Sequence, residues 1–270
     1  MNNIESIDKY LSGEVLIGDD YDPEEILQWF EDEREAYAEL GAAEAKTYSY
    51  DYHALNSYHG YRLLPQGRQF GHACGFGSAY GDELLPIRKR IEKITLIDSS
   101  KKFGDNILEG LAASFIAASP DGSIKVADNE FDLITCFGVL HHIPNVSFVL
   151  GELTRCLKTD GVLLLREPTT SMGDWRFPRR GLTRRERGIP YDILRQIIDS
   201  CGLKVINHSS CLFSPLAAAA ARVGVSVGAK QWLVEIDSVL CQLSSWNSRY
   251  HRRNIFEKFA PASEFFVLSK

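Results

Sequence analysis

The middle of the chain alternates short apolar runs with a helical pattern. Residues 131–136 (Phe-Asp-Leu-Ile-Thr-Cys) and residues 162–165 (Val-Leu-Leu-Leu) are typical of strands that are buried on both faces of a parallel sheet. Between them, leucines recur at helical spacing from Leu150 to Leu157, and Gly161 indicates where the helix has ended. This order of strand, helix and strand predicts half of a nucleotide-binding α/β sheet.

The same pattern extends to both sides of this segment. Further strands are predicted at residues 70–76, 94–97, 203–206 and 265–268, and a mostly helical stretch separates the last two. The run Asp22-Pro23-Glu24-Glu25 predicts the start of an N-terminal helix, because it offers a capping carboxylate, a proline at the first helical position and acids in the first turn. We expect that helix to reach about Leu40 and to stop at Gly41.

Three parts follow from this pattern. We expect residues 1–61 to form an N-terminal helical and aromatic arm, residues 62–210 to form a Rossmann-like core that binds the nucleotide or cofactor, and residues 211–270 to form a helical insertion and a terminal strand that completes the sheet.

A glycine-rich loop follows the strand at residues 70–76. Glycines allow positive φ and a close approach of the backbone to a ligand. Two registers of the pattern Gly-x-Gly-x-Gly are available, residues 73–77 and residues 77–81, and the second leaves residues 70–76 as the strand. Glu83-Leu84-Leu85 then opens a predicted helix. Asp98 ends the strand at residues 94–97, where an acid accepts hydrogen bonds from the ribose hydroxyls of a nucleoside.

The segment at residues 131–168, FDLITCFGVLHHIPNVSFVLGELTRCLKTDGVLLLREP, resembles the class I S-adenosylmethionine-dependent methyltransferases. Neighbouring segments extend the resemblance to roughly residues 69–207. It implies a Rossmann-like seven-stranded α/β sheet whose last strand is antiparallel, with S-adenosylmethionine as the cofactor. The cofactor contacts that it implies are Gly75, Gly77, Ser78, Gly81, Asp98, Ser99, Phe137 and Gly138. The acid that commonly ends the first strand in the family is missing, since Gly71 or Gly75 stands there in the two registers.

His141 and His142 lie in the loop that the fourth strand delivers, next to the expected sulfonium. A neutral imidazole can take the proton of a hydroxyl acceptor near physiological pH, so one of the two is a candidate catalytic base. The alternative is that the pair forms a structural turn that is hydrogen-bonded to the backbone.

Candidate substrate contacts come from two segments around the core. The aromatic residues 47–61, with Tyr52 and Tyr58, either line a pocket or pack the arm onto the domain. Glu167 ends the fifth strand, and an arginine-rich loop follows it at residues 176–187. Guanidinium groups there can bind phosphate or carboxylate, and an indole can stack on a sugar or a base; the alternative is an exposed basic loop, or one that pairs with the acidic N-terminal helix. The candidates in this loop are Trp175, Arg176, Arg179 and Arg180.

Residues 171–190, SMGDWRFPRRGLTRRERGIP, also resemble a subset of bacterial methyltransferases that are associated with surface-polysaccharide biosynthesis. This resemblance implies a small-molecule acceptor, a sugar or nucleotide-sugar hydroxyl or amine, with phosphate-bearing sugars among the candidates. Two alternatives stay open: a nicotinamide-dependent oxidoreductase, although the chain has no Tyr-x-x-x-Lys pair, and a non-catalytic methyltransferase-fold scaffold subunit.

Composition and charge limit the classes of binding partner and the location that we expect for the protein. The formal net charge of −6 argues against general nucleic-acid binding. The sequence has no apolar run of about 18 residues and no signal-peptide pattern, so we expect a cytoplasmic protein without a membrane span. The six cysteines form no Cys-x-x-Cys pair, and no metal site is expected. The oligomeric state is not indicated.

Overall fold

The computed structural model describes residues 4–44, 50–100, 112–174, 177, 179 and 181–270. Its centre is a seven-stranded sheet in the order β3-β2-β1-β4-β5-β7-β6. The first five strands pair in parallel, and β7 is antiparallel to both β5 and β6. The predicted Rossmann-like methyltransferase sheet is therefore confirmed. Its strands are β1 (Phe70–Phe76), β2 (Ile91–Asp98), β3 (Ala112–Ala117), β4 (Phe131–Phe137), β5 (Leu157–Pro168), β6 (Lys204–Phe213) and β7 (Pro261–Ser269).

Seven α-helices accompany the sheet in the described part of the chain. They are α1 (Ile4–Ser12), α2 (Pro23–Glu44), α3 (His53–His59), α4 (Val146–Cys156), α5 (Tyr191–Ser200), α6 (Ser214–Arg222) and α7 (Gln231–Ser244). Short 3-10 segments also occur, among them Asp82–Arg90 after β1 and Leu140–His142 after β4. No helix among the described residues is long and apolar enough to cross a membrane.

The N-terminal helix begins where the sequence predicts. Asp22 Oδ1 accepts hydrogen bonds from the N–H groups of Glu24 and Glu25, both at 2.9 Å. In turn, Glu25 Oε2 accepts a hydrogen bond from the Asp22 N–H at 3.2 Å. This reciprocal pair satisfies the donors that a helix start leaves open. The predicted stop at Gly41 is wrong, since α2 continues to Glu44. A glycine inside a helix costs only about 1 kcal/mol relative to alanine, so it does not by itself end one.

The segment after the glycine loop differs from the expected α-helix. Residues Asp82–Arg90 form 3-10 turns, with Pro86 inside them. Proline lacks the N–H that an α-helix needs at this position. In addition, the Tyr61 hydroxyl donates to the Glu83 carbonyl oxygen at 2.7 Å, which occupies an acceptor that an α-helix would use internally.

Both faces of the sheet are covered. One face packs against α4 and α5 through residues such as Cys74, Leu153 and Ile198. The other packs against α3 and α7 through residues such as Leu55 and Val234. Burial on both faces explains why the central strands read as continuous apolar runs.

Candidate active site

The site lies at the carboxyl ends of β1 and β4, where the strand order of the sheet reverses. Ligands of open α/β sheets bind outside the strand ends at such a point. The ends of β1 and β2, the loops after β3 and β4, and the middle of α2 enclose a cavity there. Its lining includes Phe30, Glu33, Gly77, Asp98, Ser99, Ser123, Val139, His142 and Pro144.

Asp98 ties the glycine loop to the end of β2. Its Oδ2 accepts the Ala79 N–H at 3.0 Å, and its Oδ1 accepts the Ser100 N–H at 3.2 Å. Burial raises the pKa of the Asp98 carboxyl, and these backbone hydrogen bonds offset part of that effect. The structure thus fixes the orientation of this carboxyl group at the wall of the cavity, beside Ser99.

Gly77 starts the loop with a left-handed backbone, φ +62°. A Cβ atom at this position would overlap the side chain of Val139. Gly81, with φ +81°, ends the loop and precedes the 3-10 turns. Gly77 therefore keeps the backbone of the loop close to the loop after β4, without a side chain between them.

Glu83 fills the space beside Gly75, where the family commonly places an acid. A Cβ atom added to Gly75 would lie 2.8 Å from Glu83 Oε1 and would overlap Ser78. Thr135 Oγ1 donates to the same Glu83 oxygen at 3.2 Å. Burial raises the pKa of Glu83 to about 8, and Glu83 Oε2 has no hydrogen-bond partner among the described residues. Sequence reasoning missed this residue because it treated Glu83 as the first residue of a helix.

Glu167 organises the loop after β4. Its carboxylate is fully buried and accepts the N–H groups of Val139 at 2.9 Å, Leu140 at 2.8 Å and His141 at 3.2 Å. The structure places this carboxylate behind the loop, in contact with the backbone. Glu167 is therefore a positioning residue in this arrangement.

His141 lies between two carboxylates. Its Nδ1 is 2.9 Å from Glu167 Oε2, and its Nε2 is 3.5 Å from Glu186 Oε1. Burial alone would lower the pKa of His141, but the hydrogen bonds and charges of the two glutamates outweigh it and raise that pKa to about 9. An imidazole with both nitrogens protonated cannot accept a proton, so the two carboxylates beside His141 disfavour it as a base near neutral pH.

The pKa of His142 is shifted in the opposite direction. Burial and the neighbouring charge of His141 lower the pKa of His142. Its Nδ1 is 2.8 Å from Glu33 Oε2 of α2, and its side chain lines the cavity. A carboxylate that accepts from Nδ1 selects the tautomer in which Nε2 is the basic nitrogen. Of the two candidate bases, the structure favours His142.

His141, His142 and Glu186 also bring three possible metal-ligand atoms within 4.8 Å of one another. A metal ligand must be a neutral imidazole with a free lone pair. Both nitrogens of His141 instead face carboxylates, which holds the proton on the ring. The cluster is therefore better described as an ion-paired network than as a metal centre.

The arginine-rich loop binds largely to the protein itself. Arg187 is buried and donates to the carbonyl oxygens of Ile17, His141, Ile143 and Pro144 at 2.8–3.1 Å. Arg185 Nε pairs with Asp32 of α2 at 2.8 Å. Arg179 donates to carbonyl groups of its own loop, those of Met172, Thr183 and Arg184. Trp175, Arg176 and Arg180 lie outside the described residues. This pairing with the acidic N-terminal helix matches the structural alternative stated for the loop.

The two candidate tyrosines have different surroundings. The ring of Tyr52 lies 4.2 Å from the guanidinium carbon of Arg166. The guanidinium carbon of Arg62 lies 3.4 Å from the centre of the Tyr58 ring, and hydrogen bonds with Ser238 and Arg62 lower the pKa of Tyr58. Tyr58 thus packs the N-terminal arm on α7, and only Tyr52 borders the strand ends.

Phe137 and Gly138 connect β4 to the site. Phe137 pairs with Arg166 of β5, and its ring lies 5.7 Å from the guanidinium carbon. Gly138 has φ +71°, and its N–H donates to the Arg166 carbonyl oxygen at 2.6 Å. Arg166 itself is 6% exposed, and its Nη1 has no hydrogen-bond partner among the described residues. Sequence reasoning missed this buried cation, because a strand-end arginine carries no distinctive pattern.

Comparisons with known proteins agree with this architecture. Residues 52–208, more than half of the chain, match the family model described as a methyltransferase domain. The chain therefore belongs to this methyltransferase family, and its cofactor is S-adenosylmethionine. No match was found among curated protein sequences.

Solved structures share the fold at low sequence identity. One is an S-adenosylmethionine-dependent methyltransferase from Leishmania major, with 12% identity and a TM-score of 0.56, over 94% of this chain and 87% of that one. A Haloferax volcanii protein in complex with the methyltransferase activator Trm112 has 14% identity and a TM-score of 0.55, over 91% and 97%. The [4+2]-cyclase SpnF has 15% identity and a TM-score of 0.52, over 80% and 79%. A cyclase with this fold shows that the fold alone does not define the reaction.

The residues present fit the cofactor. Gly77 has no side chain, and a Cβ atom there would block the close approach of the backbone at the strand ends. The carboxylate of Asp98 is held in one orientation and offers the acceptor that ribose hydroxyls require. Gly77, Asp98 and Ser99 would hold the nucleoside part of the cofactor.

Proposed function

We propose that this methyltransferase transfers the methyl group to a hydroxyl or amine of a sugar or nucleotide-sugar, in the biosynthesis of a surface polysaccharide. The observation that carries the hydroxyl acceptor is the neutral His142 at the cavity wall, with Glu33 behind it. The similarity of residues 171–190 to polysaccharide-associated methyltransferases supports the sugar.

S-adenosylmethionine supplies an electrophilic methyl group on a sulfonium. The protein must align an acceptor atom with that methyl and remove the proton of a hydroxyl. His142 Nε2 takes this proton, and Glu33 stabilises the imidazolium that forms, because its carboxylate already accepts from Nδ1. His141 stays protonated throughout, so its charge keeps His142 neutral until the acceptor is deprotonated.

The acceptor side is formed by the loop after β5 and by the arm. Arg176 and Arg180 remain our candidates for a phosphate group of the acceptor, with Trp175 stacking on its sugar or base. Tyr52, whose ring packs on Arg166, is the candidate aromatic contact from the arm.

The test is methyl transfer from isotopically labelled cofactor to a panel of acceptors. The panel contains nucleotide-sugars, free sugars and amino sugars, with amino acids and catechols as other classes. We expect product with a sugar-bearing class and a rate that rises with pH as His142 loses its proton. Methylation confined to amino acids or catechols would contradict the proposal. Binding of S-adenosylhomocysteine with no transfer to any class would favour the scaffold alternative.

A further inference from the structure

A buried acid and a buried base lie on the same face of the sheet at the site. Glu83 is 3% exposed and Arg166 is 6% exposed, and each has one polar atom without a partner among the described residues, Oε2 and Nη1 respectively. A buried polar or ionisable group that lacks a hydrogen-bond partner is unfavourable unless a ligand supplies one. Both atoms therefore indicate a polar ligand.

The register of the strands gives the spacing of the two β4 residues that Glu83 and Arg166 adjoin. Glu83 binds Thr135, and Arg166 pairs with Phe137, two residues further along β4. Residues two apart on a strand point to the same face, about 7 Å apart along it. A group with two opposite charges on one carbon spans such a gap, with a hydrogen bond of about 2.9 Å at each end. Glu83 and Arg166 both act electrostatically on Tyr50 and Tyr61, so the two groups lie near the same pair of tyrosines.

The glycine loop links this pair to the nucleoside cavity. Its Ala79 N–H donates to Asp98, while its Ser78 side chain lies beside Gly75 and Glu83. A single ligand that crosses the loop can therefore reach Asp98 with one end and the charged pair with the other.

We propose that Glu83 and Arg166 form a binding site for a zwitterionic α-amino acid group, with the ammonium on Glu83 Oε2 and the carboxylate on Arg166 Nη1. The cofactor carries such a group in its methionine part, and we assign the site to it. Glu83 thus replaces the acid that is absent at Gly75, from a position eight residues later. This assignment does not depend on the acceptor that we propose above.

Proton release gives a second signature of the site. Because burial raises the pKa of Glu83 to about 8, this carboxyl group is mostly protonated at pH 7 without a cation beside it. An ammonium next to it favours the ionised form. Cofactor binding at pH 7 should therefore release about one proton from this group.

Calorimetry with two ligands tests the assignment. S-adenosylhomocysteine carries the amino acid group, and 5′-methylthioadenosine has the same nucleoside without it. We expect Glu83→Gln and Arg166→Gln to weaken S-adenosylhomocysteine about tenfold or more while the affinity for 5′-methylthioadenosine stays level, and Arg166→Lys to recover part of the loss. Titrations in buffers of different ionisation enthalpy should lose the released proton in Glu83→Gln. Glu92→Gln at an exposed position and Arg195→Lys at a partly exposed one serve as matched controls.

The nucleoside ligand also reports on folding, since a variant that binds it normally has an intact site. The zwitterionic group could also belong to an amino acid acceptor instead of the cofactor. To test this alternative, glycine is titrated into protein that is saturated with S-adenosylhomocysteine. Glycine binding that the variants lose, with unchanged S-adenosylhomocysteine affinity, would overturn the assignment to the cofactor. Equal losses for both nucleoside ligands, or no change for any ligand, would overturn the site itself. A wild-type protein that binds neither nucleoside ligand would overturn the cofactor assignment before any variant is compared.

Discussion

The ring centroids of His141 and His142 lie 4.0 Å apart, and their surroundings shift the pKa values of the two side chains in opposite directions. Two glutamates raise the pKa of His141 to about 9, whereas burial and the charge of His141 lower the pKa of His142. We therefore propose separate tasks for these adjacent identical side chains. One is a fixed cation that organises the loop after β4, and the other is a neutral group that can accept a proton.

The first prediction separates these tasks by substitution. His142→Gln should lower kcat by roughly 10²- to 10⁴-fold for a hydroxyl acceptor, because it removes the base. Its affinity for S-adenosylhomocysteine should stay near the wild-type value. His141→Gln should act mainly on stability. Steady-state kinetics and calorimetry on both variants provide the measurement, and normal turnover of His142→Gln between pH 6 and 9 would exclude this base.

The second prediction concerns Glu33, which accepts from His142 Nδ1 at 2.8 Å and from the Thr183 hydroxyl at 2.7 Å. Glu33→Gln should lower kcat, because an amide stabilises the imidazolium less than a carboxylate does. Glu31→Gln on the same helix, at a partly exposed site, is the matched control. A kcat that falls equally in both variants would point to a general effect on α2.

The third prediction is a dependence of stability on pH. The folded pKa of His141, about 9, lies above its ordinary value of 6.5. Its contribution is therefore fully present below pH 6.5 and is lost as the pH rises through 9, and it amounts to roughly 3 kcal/mol. Urea unfolding at pH 6 to 10 should show this loss in the wild type. In His141→Gln the free energy of unfolding should change less over the same range.

The fourth prediction compares two glycines. Gly75→Ala would bring a Cβ to 2.8 Å from Glu83 Oε1, whereas Gly151→Ala in α4 meets no atom within 4 Å. Gly75→Ala should displace Glu83 and destabilise the fold by about 1–3 kcal/mol. Gly151→Ala should stabilise it by about 0.4–1 kcal/mol, because alanine loses less backbone entropy in a helix. Thermal unfolding of both variants gives the sign of each change. Equal effects would mean that the space beside Gly75 is not restricted.

The fifth prediction is that Asp98→Ala weakens S-adenosylhomocysteine by at least about 1–3 kcal/mol. The substitution removes the acceptor for the ribose and also leaves the Ala79 N–H without its partner. Asp98→Asn keeps one oxygen and should lose less affinity. Calorimetry distinguishes the two variants, and unchanged affinity in Asp98→Ala would place the nucleoside elsewhere.

The sequence predicts the sheet well because its strands are buried on both faces. The apolar runs that become β4 and β5 leave little ambiguity, and Asp98 follows directly from its place at a strand end. The second half of β6 was not predicted, since His208, Ser209 and Ser210 give no apolar signal although they pair with β7.

The site is less predictable because its contacts join distant parts of the chain. Glu33 is 109 residues from His142, and no local pattern connects them. Glu83 acquires its position only when 3-10 turns replace the expected α-helix. The protonation states of the two histidines likewise depend on Glu186 and Glu33, which a reading of the His-His pair alone cannot include.

Helix α2 supplies contacts to the candidate active site from outside the part of the chain that relatives share. The family match spans residues 52–208, yet Glu33 and Asp32, which bind His142 and Arg185, lie before that span. Trp29 of the same helix donates to the His142 carbonyl oxygen at 2.8 Å. Two methyltransferases with matching cores can thus differ in the basicity of the same histidine when their N-terminal arms differ. Divergence in this arm would change the chemistry while the shared domain stays constant.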